Sequence, residues 1–265
     1  MANHLLRSSD QPVYVSTAEG VDSHLDIYLH SLVGTLQNEL KGNLLAVYLF
    51  GSAGYGAYEP GISDVDVYAI VNESVLDLHK LSRTISHAAI PCPARKLEFV
   101  LFTRANAAKQ TAHPVFEMNF NTGRNMHEYL NLNALTEPRF WFLLDIAIGR
   151  DLGKSLFGPP PHTLFPAPKR EWIFDCMFES LAWQRRNGPI CCDGILNACR
   201  EVSYAKTFRW VSKMDGGAWM LENYNHPNIV DLAMKARLSK AGLPQDLASE
   251  FLGFVENELR GCRAN

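Results

Sequence analysis

Two features are scarce in this chain of 265 residues, and each scarcity excludes a class of partner. Basic residues are not in excess, because 25 Lys plus Arg stand against 28 Asp plus Glu, which gives a net charge of −3. Proteins that bind nucleic acids usually carry a basic surplus, so no nucleic-acid partner is expected. No apolar run approaches the roughly 18 residues of a membrane span, so no membrane partner is expected either.

Cysteine motifs and export signals are also missing. The six cysteines form no CxxC pair and have no histidine nearby at zinc-finger spacing, which favours buried thiols in a reducing compartment. The stretch from Met1 to Pro12 contains Asp10 and lacks the basic start and apolar core of a signal peptide. We therefore expect a cytoplasmic protein, and we expect it to be a monomer.

What is present is the composition of a globular protein, with 47% hydrophobic and 20% charged residues. The length allows one large domain or two smaller ones. Five prolines fall within residues 159–168, where neither a helix interior nor a central strand tolerates them. We place the domain boundary there, which gives domains 1–157 and 158–265. The first contains strand and helix patterns and the second is helical throughout, so the predicted class is α/β (α+β) for the first domain, followed by an all-helical second domain.

The apolar spacing predicts individual elements. A helix is predicted over 21–40 and a buried strand over 44–50. Two more strands are predicted at 63–71 and 96–102, with a helix at 76–88 between them. Later helices are predicted at 140–148, from Ile173 to the stop at Gly188, and at 193–211, 217–224, 226–241 and 245–260.

The sharpest motif is Gly51-Ser52, which is followed after eleven residues by Asp64-Val65-Asp66. Gly51 lets a ligand approach the backbone, and Ser52 offers a hydroxyl and an N–H at a strand-to-helix turn, so the pair predicts an anion cradle. Because side chains alternate along a strand, Asp64 and Asp66 point to the same side. Mg²⁺ is the simplest cation to separate two such carboxylates. The alternatives are an ordinary turn and a solvated pair of aspartates at a strand edge.

A third carboxylate, Glu98, has apolar neighbours in the predicted strand at 96–102. Its burial is costly unless it pairs with a cation, binds a metal or acts as a base. The alternative is an exposed edge residue that is partnered by Lys96 or Arg95.

Together these residues resemble the signature of the polymerase-beta-like nucleotidyltransferase superfamily. One branch, the aminoglycoside adenylyltransferases that modify streptomycin and spectinomycin, is similar over about Leu44 to Trp219. The segments that carry this resemblance are Leu97-Glu98-Phe99-Val100, Thr103-Arg104, His113-Pro114, 116–120, 145–148, 156–159, 165–168 and the run from Cys199-Arg200 through Ser212-Lys213.

The resemblance implies an enzyme with a nucleotidyltransferase domain, built on a small mixed sheet flanked by helices, and a C-terminal helical bundle. Its implied reaction moves AMP from ATP to a hydroxyl of an aminoglycoside and releases pyrophosphate, an activity associated with antibiotic resistance. The implied roles are triphosphate binding by Gly51, Ser52, Arg200 and Lys213, Mg²⁺ binding (two ions) by the catalytic Asp64 and Asp66, and general-base catalysis by Glu98. Without the resemblance, ordinary surface charge is the preferred interpretation of the Arg and the Lys.

The acceptor half of the site departs from the family pattern. Aminoglycosides are polycations, and the enzymes that bind them place carboxylates just before the helix that carries Arg200. Here that segment, 183–188, is basic instead. Trp183 is a candidate to pack on a sugar ring, whereas Trp141, Trp172 and Trp210 are expected in the core. Five carboxylates elsewhere in the chain would compensate for this basic segment if they face the cleft: Glu117, Glu128, Asp175, Glu179 and Asp193. Of these, we favour Glu117 and Asp193.

Two alternatives to this function remain open. The same adenylyl transfer can act on a different hydroxylated metabolite or a protein side chain, which the basic pair Arg185-Arg186 motivates. The chain can also bind nucleotide without transferring it, although the intact carboxylates argue against this.

Overall fold

The structure is a computed structural model that describes residues 23–225, 227–239 and 241–264. The first two residues of the helix predicted at 21–40, and the segment from Met1 to Pro12, lie outside these ranges. Within them, no helix is long and apolar enough to cross a membrane.

Six strands form one mixed sheet. Neighbouring strands follow the order β5-β4-β3-β2-β1-β6, and only β2 and β3 run parallel to each other. Their bounds are β1 (Leu44–Phe50), β2 (Val65–Val71), β3 (Leu97–Thr103), β4 (Met118–Thr122), β5 (Tyr129–Asn131) and β6 (Lys154–Phe157). The three predicted strands are therefore confirmed as β1 to β3, and the sequence analysis missed β4 to β6.

Eleven helices accompany the sheet in the described ranges. Helices that precede the proline cluster are α1 (Ser23–Leu40), α2 (Gly51–Gly54), α3 (Leu78–Thr84), α4 (Arg104–Ala107) and α5 (Arg139–Leu152). The others are α6 (Pro161–Leu164), α7 (Arg170–Arg186), α8 (Cys192–Thr207), α9 (Lys213–Asn223), α10 (Pro227–Ser239) and α11 (Gln245–Ala264). The predicted class, a mixed sheet flanked by helices and followed by a helical part, is confirmed.

The two faces of the sheet bury different residues, because side chains alternate along each strand. One face carries aliphatic residues such as Val47 and Val67 and packs against α1. The other face is aromatic: Tyr48, Phe50 and Phe102 pack together there with side chains from α5. The aromatic face does not extend to the end of the strands, and the space beyond it is a cleft.

Helix α5 belongs to two cores. Phe142 and Ile146 pack on the aromatic face of the sheet, whereas Leu143 and Ala147 join the helical core of α7, α8, α10 and α11. At Gly149, a Cβ atom would lie 2.4 Å from the ring of Phe50, so the absence of a side chain lets the helix approach the sheet. The predicted boundary at the proline cluster therefore follows a helix that both parts share, and it stays a prediction.

A carboxyl group is buried in the helical core. Glu201 on α8 is 3% exposed; its carboxyl group forms a hydrogen bond with Ser180, and its Oε2 has no partner among the described residues. Burial raises the pKa of Glu201 to about 8, which the nearby Arg200 only partly opposes. The folded protein therefore retains a proton that the unfolded chain releases near pH 4.5.

We predict that Glu201→Gln flattens the dependence of stability on pH. Between about pH 5 and pH 8 the folded state binds more protons than the unfolded state, so the unfolding free energy of the wild type falls as the pH rises. The variant mimics the protonated acid and should be more stable than the wild type by about 1–3 kcal/mol at pH 8, with little difference at pH 5. Urea unfolding at both values measures this.

The exposed Glu250 on α11 provides the matched control, because Glu250→Gln removes a carboxylate without touching the core. A parallel pH slope for the wild type and Glu201→Gln would contradict the prediction.

Candidate active site

A cleft of about 670 Å³ lies between the aromatic face of the sheet and the helices that follow the proline cluster. It contains most of the residues that the sequence analysis singled out. Those that line it are Gly51, Ser52, Asp64, Asp66, Glu98, Asp193, Arg200 and Lys213. The structure thus brings together side chains that are up to 162 positions apart, from Gly51 to Lys213.

The floor of the cleft is a row of polar side chains across four strands. Asp66 pairs in register with Glu98 on β3, Glu98 with Asn121 on β4, and Asn121 with Tyr129 on β5. All four line the cleft. Residues that are opposite each other on neighbouring strands share a face and lie close together. The strand register therefore places the two carboxylates side by side.

This closeness shifts the pKa values of the carboxyl groups. Burial, followed by the charges of Glu98 and Asp145, raises the pKa of Asp66 well above its usual value. The same two causes, burial and the charge of Glu98, raise the pKa of Asp145 to about 6. Tyr68 donates a hydrogen bond of 3.1 Å to Asp145 Oδ2. The cleft therefore concentrates more negative charge than its walls can solvate.

Two cations next to the carboxylates neutralise part of that charge. Arg95 donates from Nε and Nη2 to the two carboxylate oxygens of Asp64, at 2.7 and 2.5 Å. Lys96 forms an ion pair with Glu98, and its Nζ lies 3.8 Å from Asp64 Oδ2. Although burial opposes ionisation, Lys96 holds the pKa of Glu98 below its usual value. Lys96 is thus the partner of Glu98, as expected if Glu98 were an exposed edge residue. However, β3 is an inner strand of the sheet and not an edge strand.

The donor set at Asp64 and Asp66 fits Mg²⁺. In the described ranges, no three His, Cys, Asp or Glu side chains converge into a ready-made metal site. Mg²⁺ usually needs only one or two carboxylates, because substrate phosphates and water complete its shell. Burial and the neighbouring carboxylates raise the pKa of Asp66, so a cation beside it would favour its ionised form.

Gly51 lies against one of these carboxylates. Its φ of +57° is in the left-handed region, and a Cβ atom at this position would be 1.7 Å from Asp66 Oδ2. Only glycine satisfies both the conformation and the space. The turn that begins with Gly51 and Ser52 is therefore held directly beside Asp66.

The opposite wall is cationic. Arg200 on α8 donates to Asn197 at 2.8 Å, and Lys213 at the start of α9 lies 3.0 Å from Asp193 Oδ1. A third cation, Arg237 on α10, contacts the same oxygen of Asp193 at 2.5 Å. Both Asp193 and Arg237 line the cleft, and the sequence analysis did not identify Arg237.

The mouth of the cleft is built around Glu137, which the sequence analysis also missed. Its Oε1 accepts hydrogen bonds from Tyr129 at 2.5 Å, from Asn131 at 2.8 Å and from Asn119 at 3.4 Å. Trp141 lines the same region and is 38% exposed. The expectation that Trp141 is a core residue is therefore wrong, because α5 turns this position toward the cleft.

Several predicted acceptor residues lie outside the lining of the cleft. Trp183 packs edge-on against Trp141, with ring centroids 5.7 Å apart. Trp141 lines the cleft, whereas Trp183 lies behind it and does not. The remaining carboxylates are engaged elsewhere: Glu117 with Asn106, Glu128 with Thr122, Asp175 with Arg263 and Glu179 with Arg139.

The basic segment before α8 does not face the cleft either. Arg185 pairs with Glu256 on α11 at 2.7 Å, and Arg186 donates to the carbonyl of Ala182 within its own helix. The basic residues at 183–188 are therefore no evidence against a cationic acceptor.

Comparisons with known proteins agree with this geometry. Residues 32–110 match the family of nucleotidyltransferase domains, and no curated protein matches the chain. The fold is similar to that of the spectinomycin adenyltransferase AAD(9) from Enterococcus faecialis, whose crystal structure was determined with ATP and spectinomycin. The TM-score is 0.67 at 18% identity, over 88% of this chain and 98% of that one. The resemblance is confirmed at the level of the domain and the fold: residues 32–110 match a nucleotidyltransferase domain, as expected for an enzyme of that kind, and the fold is similar to that of the adenyltransferase.

We predict that Gly51→Ala weakens ATP binding by about 10-fold or more, because the new methyl group strains the turn and pushes Asp66 out of place. Isothermal titration with ATP and MgCl₂ measures the affinity. Gly56 is the matched control: its φ is +75°, but a Cβ atom there meets nothing within 4 Å. Gly56→Ala should lower stability by about 1 kcal/mol through strain alone and leave ATP affinity near that of the wild type. Equal losses of affinity in the two variants would contradict this interpretation.

Proposed function

We propose that the protein transfers AMP from ATP to a hydroxyl group of an aminoglycoside of the streptomycin or spectinomycin kind, with Mg²⁺, and releases pyrophosphate. One observation carries the proposal. The strand register places Asp66 beside Glu98, in the cleft that Arg200 and Lys213 face from the other side. Carboxylates on one wall and cations on the other suit a metal-bound triphosphate between them.

Glu98 is the general base in this proposal. Its carboxylate is ionised because Lys96 lowers its pKa against the effect of burial, so it can accept a proton at neutral pH. The acceptor hydroxyl oxygen attacks the α-phosphorus and gives its proton to Glu98. The bond between the α-phosphorus and the bridging oxygen breaks, and pyrophosphate leaves.

Asp64 and Asp66 are the residues that hold Mg²⁺ in this proposal, with two ions expected for the family. The metal supplies positive charge to the phosphates during transfer. Arg95 has to release Asp64 for this to happen, and its 60% exposed side chain can do so without disturbing the core. Ser52, in the turn next to Asp66, together with Arg200 and Lys213 from the opposite wall, holds the triphosphate.

The mouth of the cleft supports a cationic acceptor. Glu137 provides a carboxylate there, and Asp145 provides a second one further inside, where the charge of Glu98 acts on it. Asn119 and Asn121 on β4 provide amides that suit sugar hydroxyls. The pKa of Asp145, raised by burial and by Glu98, would fall when an ammonium group binds beside it. Trp141 offers an aromatic surface for a sugar ring or a cation. The alternative acceptors, a different hydroxylated metabolite or a protein side chain, lose their motivating observation, because Arg185 pairs with Glu256 on α11.

The substrate is tested by incubation with ATP, MgCl₂ and individual aminoglycosides. We expect pyrophosphate release that depends on the drug, together with a drug product heavier by one adenylyl group. Omission of MgCl₂, or addition of EDTA, should abolish both signals. ATP binding without any adenylylated drug across streptomycin, spectinomycin and other aminoglycosides would overturn the acceptor assignment.

We predict that Glu98→Gln lowers kcat by about 10²- to 10⁴-fold while ATP affinity changes little, because the amide cannot accept the hydroxyl proton. Glu117→Gln is a matched control, since this carboxylate lies 19 positions further along the chain and its partner is Asn106, outside the cleft. It should retain near wild-type kcat. Steady-state pyrophosphate release measures kcat, and titration with ATP measures affinity. Full activity of Glu98→Gln would remove the general base from the proposal.

A further inference from the structure

Arg237 occupies a position on α10 where the helix otherwise buries small and apolar residues. Val230, Ala233 and Ala236 are all at most 4% exposed and recur at helical spacing. Arg237 follows Ala233 by four positions and is itself 8% exposed. A buried guanidinium is costly unless its donors are satisfied. Interactions inside the protein must therefore compensate for the desolvation of this guanidinium.

The partners that the chain provides satisfy the guanidinium only in part. Arg237 Nη1 donates to Asp193 Oδ1 at 2.5 Å. Its Nε atom is buried and has no hydrogen-bond partner in the part of the chain that the structure describes. The same carboxylate oxygen also accepts a hydrogen bond of 3.0 Å from Lys213. One carboxylate oxygen is thus shared by two cations, and the Nε donor of Arg237 stays unused.

A buried guanidinium with an unused N–H donor is suited to an oxyanion. Guanidinium groups bind phosphate oxygens through charge-assisted hydrogen bonds, often with two donors at once. Lys213, which shares the corner, is already a triphosphate ligand in the proposed function. The corner therefore extends the phosphate site from α8 and α9 to α10.

We infer that Arg237 is a further phosphate-binding residue of this cleft, and that it binds the triphosphate of ATP together with Lys213. This inference rests on the proposed function in one respect, the use of ATP as co-substrate. Asp193 takes a different role from the one that the sequence analysis favoured. It positions the two cations and does not bind the acceptor.

The electrostatics of Asp193 agree with this role. Burial acts to raise the pKa of Asp193, but Lys213 and Arg237 outweigh it and hold the pKa below its usual value. A carboxylate that already faces two cations attracts the ammonium group of an acceptor only weakly. The acceptor therefore relies on Glu137 and Asp145 for its charge.

The test measures the binding of three probes to the full chain by isothermal titration: ATP with MgCl₂, inorganic tripolyphosphate, and adenosine. Arg237→Met should weaken ATP and tripolyphosphate binding by about 10- to 100-fold, because charge-assisted hydrogen bonds are lost. Adenosine binding should stay within about two-fold of the wild type. Arg237→Lys keeps the charge and the pair with Asp193, so it should fold and show a smaller loss for both phosphate probes.

Arg185→Met is the matched control, because it removes an arginine with a similar ion pair, to Glu256, outside the cleft. It should bind all three probes like the wild type. Wild-type tripolyphosphate affinity in both Arg237 variants, or an equal loss for adenosine and tripolyphosphate, would overturn the inference. A wild type that binds tripolyphosphate through Arg237 but transfers no AMP would support the phosphate site and refute the proposed function. A wild type that binds neither ATP nor tripolyphosphate would refute both.

Discussion

The repulsion between Asp66 and Glu98 is the constraint on which the rest of the cleft depends. Their strands are parallel neighbours in register, so the two carboxylates cannot move apart without breaking the sheet. Both side chains line the cleft between the sheet and the helices and are only partly exposed, which limits their screening by water. Lys96 and a raised pKa at Asp66 relieve the repulsion in the free protein. A bound cation relieves it more completely, which is why the same arrangement that strains the free protein favours a metal and its phosphates.

The charged residues of the cleft are divided between the sheet and the helices, and the net charge of the chain does not reveal this division. A net charge of −3 gives little reason to expect an anionic ligand, yet the sheet contributes carboxylates and the helices contribute arginine and lysine to facing walls. The two sets attract each other across the cleft, and Asp193 is a carboxylate placed on the cationic side. Without it, Lys213 and Arg237 would repel each other and spread. One carboxylate therefore keeps the cationic wall compact, as Lys96 keeps the acidic wall compact.

The sequence was sufficient for the elements that are defined by local pattern. Strand β1 is a continuous apolar run, and β2 and β3 are mostly apolar apart from Asp66, Glu98 and Thr103. The motifs at Gly51 and Asp64 have fixed spacing, so these elements and motifs were predictable. Strand β4 was missed because its asparagines face the cleft and interrupt the apolar pattern, and β5 and β6 are too short to show any pattern. Glu137 and Asp145 join the site only through tertiary packing, which no local pattern encodes. Arg237 did leave a signal, namely a charge in the apolar stripe of its helix.

The shared helix α5 affects how the chain can be divided. Its residues Phe142 and Ile146 complete the core above the sheet, while Leu143 and Ala147 complete the helical core. A fragment that ends at 157 would keep this helix but expose the apolar side that normally packs against α7. A fragment that starts at 158 would lack the part of the helical core that α5 supplies. Recombination between related genes at the proline cluster would therefore join the α5 of one parent to the helical core of the other.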